Sequence, residues 1–194
     1  ALLIMILYNL IFYSLVRIIT RLYLVIFIIL FALLQFTIDG FGFQILWPEA
    51  VKWARIAPLF FLCLMIGSMI IYIRDFISLP QLLDKKFDRL WIYSVILPNL
   101  LWPIILVPLG ISHAAICITG ALVIYAMLAV GAVGLLCVLQ GKTTRAVRFT
   151  WINFSPLAIG AALGISYYMG LLPPNFFTIW SIHIGIALFI ALLS

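Results

Sequence analysis

Charge is what this chain has least of. Of its 194 residues only 8% are charged, five acidic against eleven Lys and Arg, whereas soluble domains carry about 25%. That scarcity excludes an ordinary water-facing surface. Cysteine is also sparse: Cys63, Cys117 and Cys137 all lie in apolar runs without Cys-x-x-Cys spacing, which gives no sign of zinc or a redox pair and leaves them as small core hydrophobes. The two histidines, His113 and His183, are too few for a dihaem membrane cytochrome, which would need four at matched depths, so no cofactor and no metal are expected. No lysine lies in the last apolar run, which excludes a retinal Schiff base. The first apolar run lacks the basic prelude and small-residue cleavage site of a signal peptide and is expected to stay in the membrane.

What the chain has in abundance is apolar surface. Hydrophobic residues make up 68% and the mean hydropathy is +1.35, more than one interior can bury, so the bilayer acts as solvent. Only helices and closed barrels satisfy their backbones there, and these runs are too long and too uniformly apolar for barrel strands. The predicted fold is all-α, one polytopic bundle of seven transmembrane helices spanning residues 1–194, with spans at about 1–16, 22–40, 54–73, 91–109, 114–138, 149–170 and 177–194. Both ends fall at apolar runs, so the bundle is expected to be a fragment of a longer protein.

The basic residues fix the orientation. The first, third and fifth connections hold Arg17, Arg21, Arg74, Lys85, Lys86, Arg89, Lys142, Arg145 and Arg148, and the others only Lys52 and Arg55. The positive-inside rule makes the crowded side cytoplasmic, so the N-terminus is outside and the C-terminus inside. The charge thus belongs to membrane topology and not to nucleic acid. Tyr23, Trp91 and Trp151 at inner ends, and Trp47, Trp53, Tyr167, Tyr168 and Trp180 near outer ends, fit aromatic belts.

In lipid, helices associate through small residues and polar contacts. Pro156, Gly160 and Gly164 form a ridge in the sixth span that is expected to meet Ala126, Ala129 and Ala132 of the fifth. Pro98, Pro103 and Pro108 interrupt the fourth span, each removing an amide donor; the result is either a hinge or a fixed bend satisfied by neighbours. Polar residues at depth must face protein or a wet cavity. Asn9, Gln35, Asp39, Asn99, Asn153 and His183 are the candidates, read as a relay with two hydrogen-bonding arrangements or as static interhelical bonds. Between the third and fourth spans, Phe76 to Trp91 can form an interfacial helix, with Leu79, Leu82, Leu83, Phe87 and Leu90 on one side and Asp84, Lys85, Lys86, Asp88 and Arg89 on the other. It would touch either an output domain or anionic headgroups.

Other motifs fail on inspection. Gly141-Lys142-Thr143 lacks the first glycine of a phosphate loop, since position 136 is leucine. Asn153-Phe154-Ser155 matches a glycosylation triplet inside a span. Gly164-Ile165-Ser166 with His183 faintly resembles the rhomboid intramembrane proteases, but the family's flanking glycines and oxyanion donors are missing apart from Gly185. A small-molecule transporter is the other alternative; the odd number of spans and absence of an internal repeat argue against it.

One resemblance covers the whole chain. Tyr8-Asn9-Leu10, Arg21-Leu22-Tyr23-Leu24, Gln35 with Asp39-Gly40, Trp47-Pro48, Phe76-Ile77-Ser78-Leu79-Pro80-Gln81-Leu82-Leu83-Asp84, Gly141, Arg145-Ala146-Val147-Arg148-Phe149 and Gly170-Leu171-Leu172-Pro173 follow in this order. Together they resemble the bacterial seven-transmembrane receptors with diverse intracellular signalling modules. The third connection departs in starting Phe76-Ile77 where the family has Phe-Leu, and the first span is clipped. The resemblance implies a relay in the bacterial inner membrane, with an extracytoplasmic sensory domain and a cytoplasmic histidine kinase or cyclic-nucleotide enzyme on the same longer chain. It implies no catalytic residues within the helices, so the chain itself is expected not to be an enzyme. Leu79, Pro80, Leu83, Asp84, Arg145 and Arg148 then become candidate cytoplasmic coupling residues. Expected partners are lipid, those two domains and, as an alternative to a monomer, a second copy in a homodimer.

Overall fold

A computed structural model of the chain describes residues 2–82, 84–110, 112–142, 145–168, 172–175, 184–185 and 188. All regular structure among them is helical: α1 (Leu2–Val16), α2 (Ile19–Ile38), α3 (Val51–Phe76), α4 (Leu79–Leu82), α5 (Lys85–Trp91), α6 (Leu97–Leu109), α7 (His113–Leu139) and α8 (Arg145–Tyr168). Two π-type turns, Gly42–Leu46 and Ile92–Ile96, complete the set. The second joins α5 to α6, so Lys85–Leu109 is one apolar helix. With α2, α3 and α7 it gives four helices long and apolar enough to cross a membrane, and Leu3–Val16 is a shorter apolar fifth. The seventh expected span lies outside the described residues except at 184–185 and 188.

The chain divides into two compact units, Ala1–Leu136 and Cys137–Ser194. In the first, α3 is the axis. Two thirds of its most apolar stretch is buried by protein, against a third or less in the other three long helices, whose remaining surface is apolar and suits lipid. α2 packs on α3 and on α1, and Leu24, Val25, Phe27, Ile28, Phe31 and Leu34 are buried. On another side α6 comes close at Gly67, where an added Cβ would lie 2.8 Å from Leu100 Cδ2; glycine here lets two helices approach where the hydrophobic effect gives them no reason to. At the far end of this seam Ile56, Leu106 and Ala115 form a buried cluster under Leu59, Phe60 and Trp102. The Trp102 indole N–H donates to Thr119 Oγ1 at 2.8 Å, and that hydroxyl donates to the Ala115 carbonyl.

Helix ends follow local chemistry in some places and defy it in others. α2 and α6 end beside Gly40 and Gly110 in left-handed backbone, φ +80° and +68°, as glycine permits. The turns after α1 and α3 are also left-handed, yet the residues there are Arg17 (φ 53°) and Ser78 (φ 51°), at a cost of about 1–2 kcal/mol each. The segment from Phe76 to Trp91 is therefore two short helices and not one interfacial helix: the chain reverses at Ser78, makes one turn in α4 and restarts at α5.

In the second unit, Pro156 and Gly160 of α8 face Gly185. An added Cβ at Gly185 would stand 2.6 Å from the Pro156 carbonyl oxygen and 3.2 Å from Gly160 Cα. Two members of the small-residue ridge, Pro156 and Gly160, thus meet Gly185 at backbone contact, a partner that spacing alone did not suggest.

Candidate coupling site

Three polar links tie the described helices together where α1 ends, α2 begins and α3 ends. The Thr20 hydroxyl donates to Asp75 Oδ2, joining α2 to α3. Arg21 reaches from α2 to α1: its Nη1 donates to Asn9 Oδ1 at 3.2 Å and its guanidinium carbon lies 5.0 Å from the centroid of the Phe12 ring. Asn9, wholly buried, donates its Nδ2 to the Met5 carbonyl at 2.9 Å. Arg74 and Asp88 form a two-pronged pair, Nε to Oδ1 at 2.6 Å and Nη2 to Oδ2 at 2.7 Å, which clamps α5 to the end of α3.

The sequence produces this group by placing short polar side chains at span ends, where an arginine can lie back along its own helix. α5 is the free first end of the helix Lys85–Leu109, and helix ends fray unless something holds them. Fork-to-fork pairing of guanidinium with carboxylate gives it both energy and orientation. Asp88, grouped by periodicity with the charged side, is consequently buried, while Leu90, grouped with the apolar side, is 61% exposed. Of the other candidate coupling residues, Leu79 is buried, Pro80, Asp84, Arg145 and Arg148 are exposed, and Leu83 lies outside the described residues.

The proline-interrupted helix carries the second feature. At Ile92–Ile96 the ladder widens, and the Leu97 N–H bonds the Ile92 carbonyl five residues back. The wide turn directly precedes Pro98, which has no amide to return to the preceding turn and whose ring would crowd the carbonyl there; π-turns of this kind are common at functional sites. Pro98 itself sits in the first turn of α6, Pro103 is buried inside it and Pro108 is near its end. Asn99 is wholly buried; its Nδ2 donates to the Val95 carbonyl at 2.9 Å and its Oδ1 has no partner among the described residues.

Within the first unit, the polar candidates among the described residues are spread over both ends of α2 and over α6. Gln35 donates to both Asp39 carboxylate oxygens, at 3.3 and 3.5 Å, within the last turn of α2 and exposed, at the opposite end of that helix from Thr20 and Arg21. Asn153, in the second unit, is wholly buried, and neither of its amide atoms is bonded among the described residues. His183 lies outside the described residues, and with it the pairing with Ser166. Sequence reasoning did not single out Thr20, Arg74, Asp75 or the inward role of Asp88. The one available signal was sign: Asp75, Asp84 and Asp88 are three of only five acids, set among the basic residues of one connection.

At the other end of α2 and α3, Trp47, Trp53, Phe60 and Phe61 pack edge-on and stacked, with centroids 5.1 to 6.3 Å apart. Trp47 lies against Gly42, where a Cβ would come within 2.9 Å of its ring. These tryptophans fasten the α2–α3 connection to the helices.

Comparison with curated proteins and with solved structures gives no match. The model of a family described as 7TM diverse intracellular signalling matches residues 1–194. With apolar helices fit to span a bilayer, polar links concentrated where those helices meet one surface, and a family match over its whole length, the chain belongs to the 7TM diverse intracellular signalling family and is the transmembrane domain of a membrane receptor linked to signalling.

Proposed function

We propose that these helices carry a signal across a bacterial inner membrane, from an extracytoplasmic sensory part to a cytoplasmic output part of the same longer receptor. In this reading seven spans place the N-terminus outside and the C-terminus inside, as the distribution of Lys and Arg implies. Catalysis, of the histidine-kinase or cyclic-nucleotide type, belongs to the output part.

The observation that supports it is the set of three polar links joining α1, α2, α3 and α5 beside two left-handed turns at Arg17 and Ser78. Hydrogen-bonded contacts between helices have discrete alternatives, and strained turns favour release, so such a group can hold two arrangements that a distant event biases. The wide turn before Pro98 gives the α5–α6 helix a place to yield. A ligand shifts the balance only by binding the two arrangements unequally.

Asp75→Asn in the full-length receptor weakens the Thr20 link without altering size, and Thr20→Val removes it. Both variants should shift output in the same direction, in the absence and in the presence of stimulus, with expression unchanged. Unaltered output from both would refute the relay at this site.

A further inference from the structure

Lys52 and Arg55 are the basic residues that topology does not use. Both lie in the first turns of α3 and both are exposed. Together with Ile56 of α3 and with Val107, Pro108, Leu109 and Gly110 at the end of α6, they line a cleft of about 280 Å³. Antiparallel packing of two long apolar helices, Val51–Phe76 and Lys85–Leu109, sets this cleft where both helices reach the same membrane surface. One wall is apolar and outward-facing, with Val107 44% and Leu109 61% exposed. The other carries two cations one turn apart. Neither takes part in an ion pair among the described residues, and the first turn of α3 holds no acidic side chain.

We propose that this cleft binds the phosphate of an anionic phospholipid. Lys52 and Arg55 hold the headgroup while its acyl chain lies along Val107 and Leu109. Basic pockets between transmembrane helices hold anionic headgroups on the cytoplasmic side of membranes, and this cleft offers the same chemistry at the opposite surface. The guanidinium fork suits phosphate oxygens and the ammonium adds a point charge. A water-soluble anion would have no use for the apolar wall. The inference rests on the helices lying in a bilayer, not on the direction of signalling, so it can fail while the relay stands.

The test is native mass spectrometry of the whole chain in detergent. It is titrated with phosphatidylglycerol, with phosphatidylcholine of the same acyl chains, and with glycerol phosphate. Phosphatidylglycerol should bind the more tightly of the two lipids. Lys52→Gln with Arg55→Gln should lower its affinity about thirty-fold, and either change alone about five-fold, leaving phosphatidylcholine unaffected. Lys52→Arg with Arg55→Lys, which keeps both charges, should retain binding and separates loss of charge from loss of fold. Equal retention of phosphatidylglycerol by the doubly neutralised chain overturns the proposal. Binding of glycerol phosphate as tight as that of the lipid also overturns it, by assigning the cleft to a free anion.

Discussion

Breaking the Arg74–Asp88 clamp should free α5 without unfolding the bundle, and its size can be worked from the structure. Two charge-assisted hydrogen bonds at 2.6 and 2.7 Å connect side chains that are 27% and 11% exposed. Fully exposed ion pairs contribute about 0–1 kcal/mol, while removing one member of a fully buried pair costs about 3–5 kcal/mol. The intermediate burial here places Asp88→Ala at about 2 kcal/mol, an estimate bounded by those two limits. Since α5 is the free end of the helix Lys85–Leu109 and its own first turns have no further partners within the helix, the loss should appear as local opening. Hydrogen exchange of the whole chain in detergent should show amides 85–91 exchanging about thirty-fold faster, with the centre of α3 unchanged. A double-mutant cycle with Arg74→Ala should return a coupling of about 1.5–2 kcal/mol. Coupling below about 0.5 kcal/mol, the size of an ordinary surface pair, would refute the clamp.

Two further outcomes follow from backbone geometry. Ser78→Gly should stabilise the chain by about 0.5–1 kcal/mol, the relief of a left-handed serine less the added freedom of unfolded glycine, read as a higher unfolding midpoint; a lower midpoint would show that the turn is not strained. Gly185→Ala should force the backbone at Gly185 away from α8, since its methyl would meet the Pro156 carbonyl oxygen at 2.6 Å; the cost is about 1–3 kcal/mol, as for overpacking, and unchanged thermal stability would argue against that contact.

The helices that dominate the first unit could be read from hydropathy because lipid demands long apolar runs, and their ends fell within a few residues of expectation. α3 extends from Val51 to Phe76, beyond the 54–73 read from apolarity, because Lys52, Arg55, Arg74 and Asp75 can continue a helix while their charged tips stay at the surface. Depth of burial was also legible for Asn9 and Asn99, since amides in lipid must turn inward. Their partners were not. Arg21 stands out in the sequence for topology and for the family pattern but not for a partner, and the pairing of Arg74 with Asp88 depends on a reversal near Ser78, where nothing in the sequence supplies a glycine. Gly67 carried no ridge pattern to mark it, because a single close approach needs only one missing side chain. Pro98 announced a disturbance, but not that the turn before it would widen.

That widened turn has an angular meaning. Each residue of an α-helix advances the azimuth by about 100°, so the extra residue accommodated at Ile92–Ile96 determines how the sector bearing Asp88 and Trp91 is aimed relative to the sector bearing Asn99, Pro103 and Leu106. Collapsing it to an ordinary turn would swing one sector past the other by roughly that angle while hardly changing the helix length. A rod with such a joint can transmit torsion as well as tilt, and the part that turns is the one fastened by Asp88 to the end of α3.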